Sequence, residues 1–331
     1  MKKVLVAGGG GFIGGWLVKE LLSKGYKVTA VDIKPLSEWY QVFPEANNSS
    51  KDLSQLDNCT QSTLGIDEIY NLAADMGGMG FIENNKAACM LTVLINTHLL
   101  MAAKANGVSK YFFASSACVY NADKQNKTLI DPLKEEDAYP AMPEDGYGWE
   151  KLFSERMCRH FYEDYGLETR VARYHNVYGP NGTWEGGREK APAALSRKVA
   201  EAKLSKTSEI NIWGDGEQTR SFMYIDDCIK GTKKIFESNC RDVLNIGSEE
   251  QVSINQMIKI IEEIGDYKVD KNYQLDKPKG VRGRSSNNDL VRAKLGWDFE
   301  ISLKSGLEIT YKWIEKEIAK KLNKNKFAIK Y

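Results

Sequence analysis

The sequence predicts an α/β protein in which a doubly wound parallel sheet carries a second, smaller α/β domain. Short apolar, β-rich runs alternate with longer helical patterns through the first half of the chain. A glycine-rich turn follows the first run, and Gly-rich loops change the texture from about Gly179 onward. Alternation of this kind is the pattern of βαβ units, whose crossovers demand parallel strands. The length of 331 residues agrees, since domains of roughly 150 residues allow about two.

Residues 4–7 form an uncharged first strand, followed by a helix over Phe12–Ser23 that Gly25 ends. Lys27–Asp32 is the second strand, and residues 69–73 and 111–115 carry the β-branched and aromatic side chains of two more. Between them a helical pattern spans about 84–105 and closes on Asn106-Gly107. A second long helix covers about 148–165, stops at Gly166, and gives way to a strand at 170–174. After the Gly-rich loops comes a helix near 192–202, and near 221–237 a strand and helix of the first type return. The chain is therefore expected to cross between domains more than once. One domain comprises 1–178 with a return segment at about 217–240, the other 179–216 and 241–331. Ser253-Ile254-Asn255-Gln256 is a capping box opening a helix with Met257, Ile258, Ile261 and Ile264 on its apolar face. The tail from Ile314 reads as a lysine-rich helix at a solvated edge.

Composition excludes several classes of function. Hydrophobic residues at 42% and charged residues at 27% describe an ordinary soluble globular chain. Lys+Arg number 46 against 45 Asp+Glu, so neither nucleic acid nor a membrane surface is an expected partner. Six cysteines without a CxxC pair and only three histidines argue against a disulfide scaffold and against a metal site. The cysteines read as reduced, and the expected location is the cytoplasm. Lys2-Lys3 and the uncharged run after them imitate a secretion signal, but glycines interrupt that run and it is too short for a membrane span.

The glycine turn carries the first chemistry. Gly8, Gly11 and Gly14 spell GxxGxxG between a strand and a helix that opens on Phe12 and Ile13. Glycines let the backbone approach a pyrophosphate, whose charge rests on the helix N-terminus. Asp32 at the end of the second strand suits the adenosine ribose and repels a 2′-phosphate, which selects NAD over NADP. These features make the sheet Rossmann-type. YxxxK occurs four times, so spacing alone decides nothing. Only Tyr147 and Lys151 open a long helix downstream of a Ser-Ser pair at a strand end, Ser115-Ser116. Residues i and i+4 share a helix face, so the Lys151 ammonium is expected to lower the phenol pKa and make Tyr147 a base toward an alcohol.

At this point the sequence resembles the extended short-chain dehydrogenase/reductase family of nucleotide-sugar enzymes. The resemblance runs from Lys3 to about Ile314. It is sharpest in Asn71-Leu72-Ala73-Ala74-Asp75-Met76-Gly77-Gly78-Met79-Gly80, in Ala114-Ser115-Ser116-Ala117-Cys118-Val119-Tyr120 and in Gly186-Gly187-Arg188-Glu189-Lys190-Ala191-Pro192. Trp213-Gly214-Asp215-Gly216-Glu217-Gln218-Thr219-Arg220-Ser221-Phe222 and Gly280-Val281-Arg282-Gly283-Arg284 extend it. Within the family it is similar to the branch that epimerises GDP-mannose at carbons 3 and 5.

The resemblance implies oxidation of a sugar hydroxyl at carbon 4, with Tyr147 as base, Ser116 as its hydrogen-bonding partner and NAD as acceptor. The resulting ketone acidifies the protons on carbons 3 and 5. Inversion then needs proton carriers on opposite faces, and Cys118 and Lys190 match the two positions the epimerases use. A thiol of reference pKa about 8.5, or a lysine lowered by burial, suits such work. Asp52 resembles the acid that meets the adenine. Gly77, Asn176, Glu189, Ala191, Lys198, Gln218, Thr219, Arg220 and Arg284 match substrate contacts, with Arg220 and Arg284 suited to a diphosphate. Gly146 and Trp149 depart from the family's usual Ala and Leu, and Trp149 is expected near the mouth of the site. A homodimer built on the helices near 84–105 and 148–165 is a further implication. The rivals are another nucleotide-sugar epimerase, a 4,6-dehydratase, or a non-catalytic module that senses NAD. A dehydratase calls for a Thr-Asp-Glu type group where this chain has Ala117-Cys118-Val119, and a sensor has no need of both Tyr147 and Lys151.

Overall fold

The computed structural model describes residues 1–277 and 280–328. In chain order the elements are β1 (Lys3–Ala7), α1 (Phe12–Ser23), β2 (Lys27–Asp32), β3 (Asn47–Ser50), α2 (Leu56–Ser62), β4 (Glu68–Asn71), α3 (Met79–Asn84), α4 (Lys86–Leu91), α5 (Val93–Ala105) and β5 (Lys110–Ser116). There follow α6 (Asp145–Tyr165), β6 (Glu168–Tyr174), β7 (Val177–Tyr178), α7 (Ala191–Ser205), β8 (Glu209–Trp213), β9 (Thr219–Ser221), β10 (Met223–Tyr224) and α8 (Ile225–Glu237). The chain closes with β11 (Leu244–Ile246), β12 (Gln251–Ser253), α9 (Ile254–Gly265), β13 (Asp270–Gln274), β14 (Gly283–Arg284), α10 (Asp289–Leu295) and α11 (Leu303–Ala328).

Seven strands form one sheet in the order β11-β6-β5-β4-β1-β2-β3, and every pairing in it is parallel. Alternate side chains serve opposite faces. Val4, Val6, Val28, Ala30 and Phe112 pack with Leu17 and Leu21 of α1 and Ile235 of α8. Leu5, Ala7, Ile69, Tyr111 and Phe113 pack with Leu99 and Leu100 of α5 and Cys158 of α6. Helices therefore cover both faces, as expected of a doubly wound sheet. The strand order reverses between β1 and β4, where open α/β sheets leave a crevice at the carboxyl ends of their strands.

The remaining strands make smaller sheets, β10-β7, β12-β9-β14 and β13-β8, with α7, α9 and α11 packed about them. Their core, with Val199, Ile212, Met257, Ile261, Leu307 and Ile314, is continuous with the α1/α8 side of the main sheet. The tail is more than a solvated edge. α11 starts at Leu303, and Leu307, Tyr311, Ile314 and Ile318 are buried, so one stripe of the lysine-rich helix seals this core.

Other boundaries move as well. β11 pairs with β6, so residues 244–246 lie in the main sheet and not on the substrate side where the sequence reading put them. The pattern at 84–105 divides at Thr92, whose hydroxyl accepts the Asp75 N–H at 3.1 Å. β4 ends at Asn71 rather than Ala73. α6 begins at Asp145, three residues early, which puts Tyr147 in its first turn. Its glycines explain the tight packing there. A Cβ on Gly146 would lie 2.7 Å from the Lys86 carbonyl oxygen, and one on Gly148 would lie 2.3 Å from that of Cys118.

Candidate active site

The dinucleotide cradle is built by close approach. Gly8 has φ +82°, and a Cβ on Gly14 would lie 2.0 Å from the Gly8 carbonyl oxygen. No residue but glycine lets α1 sit this near the turn. α1 opens at Gly11 with no side-chain cap and no acid in its first turn. Its first N–H groups, from Phe12 onward, thus face an anion without competition. Asp32 closes β2 and accepts the Lys34 N–H at 3.1 Å, while the Lys34 ammonium is drawn away to the Gly10 carbonyl at 2.8 Å. That keeps the ammonium off the Asp32 carboxylate, whose oxygens suit a ribose hydroxyl. Asp52 follows β3 and accepts the Ser54 N–H at 2.8 Å. The chain's own groups therefore fit NAD: the glycines and α1 for the pyrophosphate, Asp32 and Asp52 for the adenosine end.

The reacting end lies where β5 meets α6. Ser116 ends β5, and its hydroxyl accepts the Cys118 N–H at 3.2 Å. Cys118 and Tyr147 are buried together with Ile82 and Cys89. Beneath them the Ser115 hydroxyl donates to Glu155 at 2.5 Å, and Arg173 forks onto the same carboxylate at 2.9 and 2.8 Å. This buried network ties β5, β6 and α6 into one rigid support.

Lys151 is buried beneath the tyrosine, its ammonium 5.5 Å from the Tyr147 ring centre and 4.7 Å from that of Phe113. The expected lowering of the phenol pKa is not what the protein's own groups produce. Burial is the main cause: it raises Tyr147 well above its ordinary value, Cys118, Glu150 and Cys89 add to that, and the Ser116 hydroxyl opposes it. Glu150 is also buried beside Lys151, with its carboxylate 3.1 Å from the ammonium.

Lys190 caps α7, and burial lowers its pKa, partly offset by the Cys118 thiol. Among the described residues nothing pairs with its ammonium. Cys118 moves the other way: burial raises it, Glu144 adds, and Arg284 and Ser116 oppose. Cys118 thus shares a buried cluster with Tyr147, and the Lys190 ammonium lies within electrostatic reach of the thiol. The loop before α7 reaches this cluster because Gly78 lies against it: a Cβ there would be 2.7 Å from the Glu189 carbonyl oxygen. Arg188 of the same loop pairs with Asp75 at 2.7 Å and stacks on Phe81 at 3.7 Å.

The expected substrate positions divide. Gly77 fits tightly against Phe81, and Ala191 opens α7. Glu189 pairs with Arg197 at 3.1 Å, and Lys198 donates to the Asn211 carbonyl at 2.6 Å, its pKa lowered by burial. The Asn176 amide donates to the Ser221 carbonyl at 3.1 Å. Gln218 keeps a buried Oε1 without a partner while its amide donates to the Trp213 carbonyl. The Thr219 hydroxyl accepts from Gln251 at 2.8 Å and donates to the Thr128 carbonyl. Arg220 donates to the Thr219 and Val281 carbonyls, and burial beside Arg284 lowers its pKa to about 10.

Arg284 turns toward Cys118, with Nε to Gln125 at 2.6 Å, Nη1 to Cys118 Sγ at 3.6 Å and Nη2 to Glu144 at 2.7 Å, which engages three of the five N–H donors of a guanidinium. Trp149 is a correction. It lies two helix positions from Tyr147 and is 45% exposed, on the outer side of α6 rather than at the mouth of the site. Sequence reasoning missed Glu144, Gln125 and Glu150, since their partners come from elsewhere in the fold or, for Glu150, from burial.

A dinucleotide cradle joined to a Ser–Tyr–Lys constellation, its Tyr147 and Lys151 buried, defines a short-chain dehydrogenase/reductase type of enzyme. A model of the NAD dependent epimerase/dehydratase family matches residues 4–247, and the chain belongs to that family. It is 45% identical over 319 residues to "GDP-mannose 3,5-epimerase 1" of Oryza sativa subsp. japonica, covering 96% of this chain and 83% of that protein. The GDP-mannose 3,5-epimerase of Arabidopsis thaliana is 44% identical over the same shares. Among solved structures, UDP-glucose 4-epimerase with UDP-glucose from Thermotoga maritima superposes with a TM-score of 0.86 at 26% identity, covering 96% of this chain and 99% of that one. UDP-glucuronic acid 4-epimerase from Bacillus cereus, in complex with UDP-glucuronic acid and NAD, gives 0.80 at 27% identity, covering 95% and 99%. NAD is the cofactor of the family.

Proposed function

We propose that this protein converts GDP-D-mannose to GDP-L-galactose, with GDP-L-gulose arising where carbon 5 alone is inverted. The observation that carries the reading is Cys118 buried in one cluster with Tyr147, with the Lys190 ammonium within electrostatic reach of its thiol. A 4-epimerase needs a tyrosine base but no second and third proton carrier at the sugar. Bound NAD supplies the reversible oxidation of the carbon-4 hydroxyl. Tyr147 takes and returns the hydroxyl proton, Ser116 orients that hydroxyl, and Lys151 with Glu150 fixes the phenol from below. Cys118 and Lys190 then carry protons to and from the carbons that the ketone has acidified. Binding roles for Gly77, Asn176, Glu189, Ala191, Lys198, Gln218, Thr219 and Arg220 belong to the same reading, as does Arg284 at the sugar. So do a cytoplasmic location and a division into a cofactor domain on the main sheet and a substrate domain on the smaller sheets.

A homodimer is also part of the proposal. α4 to α6 expose Met90, Leu91, Leu94, Met101, Trp149 and Phe153, an apolar surface that a second copy of the chain covers.

Incubation with GDP-mannose and analysis of the sugar products tests the function. GDP-L-galactose and GDP-L-gulose are expected, with no net accumulation of reduced nicotinamide. Steady growth of the nicotinamide absorbance would mean a dehydrogenase, and loss of water a dehydratase.

A further inference from the structure

Glu144 precedes α6, and nothing in the sequence singles it out, yet its carboxylate lies against the Cys118 thiol. Its backbone N–H donates to the Cys118 carbonyl at 2.9 Å, which fastens the two residues side by side. Its carboxylate takes Arg284 Nη2 at 2.7 Å, while Nη1 of the same guanidinium faces Cys118 Sγ at 3.6 Å. Gln125 holds Nε at 2.6 Å, so the fork is fixed in plane with one prong toward each group.

We propose that Glu144 is the proton-holding partner of Cys118, a positioning residue that takes the thiol proton while Arg284 stays paired with whichever of the two is anionic. This rests on the epimerase reading. In the step, the S–H bond of Cys118 breaks and an O–H bond forms on a Glu144 carboxylate oxygen. The electron pair stays on sulfur, and the negative charge moves from carboxylate to thiolate with no co-reactant. Stripping a buried thiol of its proton into bulk water would leave a new charge in a poorly solvated site. Internal transfer avoids this, because one ion pair with Arg284 exists before and after. The thiolate so formed takes a proton from the sugar, which leaves a thiol beside a protonated Glu144. When that thiol later gives its proton to carbon, the thiolate takes back the proton held on Glu144, and the resting thiol and carboxylate return.

The surrounding charges agree with a resting thiol and carboxylate. Burial pushes Glu144 up, but Arg284, with Arg220 behind it, holds it below the usual carboxylate range. The other titratable groups facing the pair are Glu83 from α3, Cys89 from α4, Tyr147 from α6 and Lys190 from the start of α7.

Glu144→Gln tests this without needing the substrate. Iodoacetamide labelling of Cys118, followed by mass spectrometry across a range of pH, reads the thiolate population. In wild type the rate levels off toward acid, because the thiolate–carboxylic acid form binds as many protons as the thiol–carboxylate form. In E144Q the rate falls about tenfold per pH unit throughout. With GDP-mannose, E144Q should keep carbon-4 oxidation but lose about 10²-fold in inversion, with the residue of activity climbing as pH rises. Glu144→Asp keeps a carboxylate, so it should keep the acid plateau at lower height and recover part of the inversion. The same profile also serves if E144Q does not fold. Parallel labelling profiles in wild type and E144Q, no plateau in E144D, or equal loss of oxidation and inversion in E144Q would overturn the proposal. If wild type does not epimerise GDP-mannose, the substrate reading fails while the labelling still decides the role of Glu144.

Discussion

Tyr147 carries two demands that pull against each other. It must be buried to meet the carbon-4 hydroxyl away from water, and burial holds its proton tightly. The Ser116 hydroxyl and the Lys151–Glu150 pair therefore orient the phenol more than they ionise it. Tyr147→Phe keeps the shape and removes the base, so oxidation and inversion should both fall by about 10²–10⁴-fold, measured with GDP-mannose under single-turnover conditions. Cys118→Ala and Lys190→Ala should divide the reaction instead. Each spares oxidation of the sugar and removes one proton carrier, so inversion should drop by a similar factor while the nicotinamide absorbance change on mixing survives. Wild-type inversion in the Cys118 variant would remove that residue from the mechanism. At this scale the sequence was legible wherever chemistry repeats a motif: Tyr147, Lys151, Ser116, Cys118 and Lys190 all stand in dense local patterns. Glu144 was not, because its meaning comes from Arg284, 140 residues away along the chain. The surroundings of Arg284 were hidden for the same reason. A guanidinium in a sequence looks wholly free, and only the fold reveals that three of its donors meet Gln125, Cys118 and Glu144.

The elements most legible in the sequence were those whose ends carry their own chemistry. α1 and β2 fall on the expected residues, since Gly11 opens the helix, Gly25 follows it with φ +80° and Asp32 ends the strand. β3, with Asn47–Ser50 and no apolar side chain, was invisible because an edge strand needs only backbone partners. The split at Thr92 was likewise hidden, and there the hydroxyl takes a hydrogen bond from the distant Asp75 N–H. Two predictions belong to elements. Gly14→Ala places a methyl group 2.0 Å from the Gly8 carbonyl oxygen, so α1 must shift away from the turn. A shift of that kind costs about 1–3 kcal/mol. Calorimetry should register it as NAD affinity weakened by about tenfold or more. On the outer face of α6, Trp149→Glu with Phe153→Glu replaces two half-exposed aromatics. Because they are exposed, the fold should tolerate the change. Sedimentation should find dimer in the wild type and monomer in the double variant; dimers that persist would place the interface elsewhere.

The whole molecule brings three separate stretches of chain to one point: the turn after β5, the start of α6 and the loop before α7. None is long enough to make a site alone. The main sheet aligns the first two at its carboxyl edge, and Gly78 admits the third by letting its backbone come close. On the proposed mechanism the proton carriers differ by position. The Tyr147 hydroxyl serves an oxygen, whereas Cys118 and Lys190 serve carbon, and both of these should exchange their protons with water before substrate enters. Turnover of GDP-mannose in heavy water should therefore place deuterium at carbon 5 and carbon 3 of the L-galactosyl product. The gulose product should be labelled at carbon 5 alone. Carbon 4, whose hydrogen never meets an exchangeable side chain, should remain unlabelled. A 4-epimerase would leave all three carbons unlabelled, because it breaks no carbon–hydrogen bond at carbons 3 or 5. Deuterium at carbon 4, or inverted product without deuterium at carbon 5, would show that Cys118 and Lys190 do not carry the protons, whatever sugar the site accepts. Nuclear magnetic resonance of the isolated sugar nucleotides reads all three positions in one experiment.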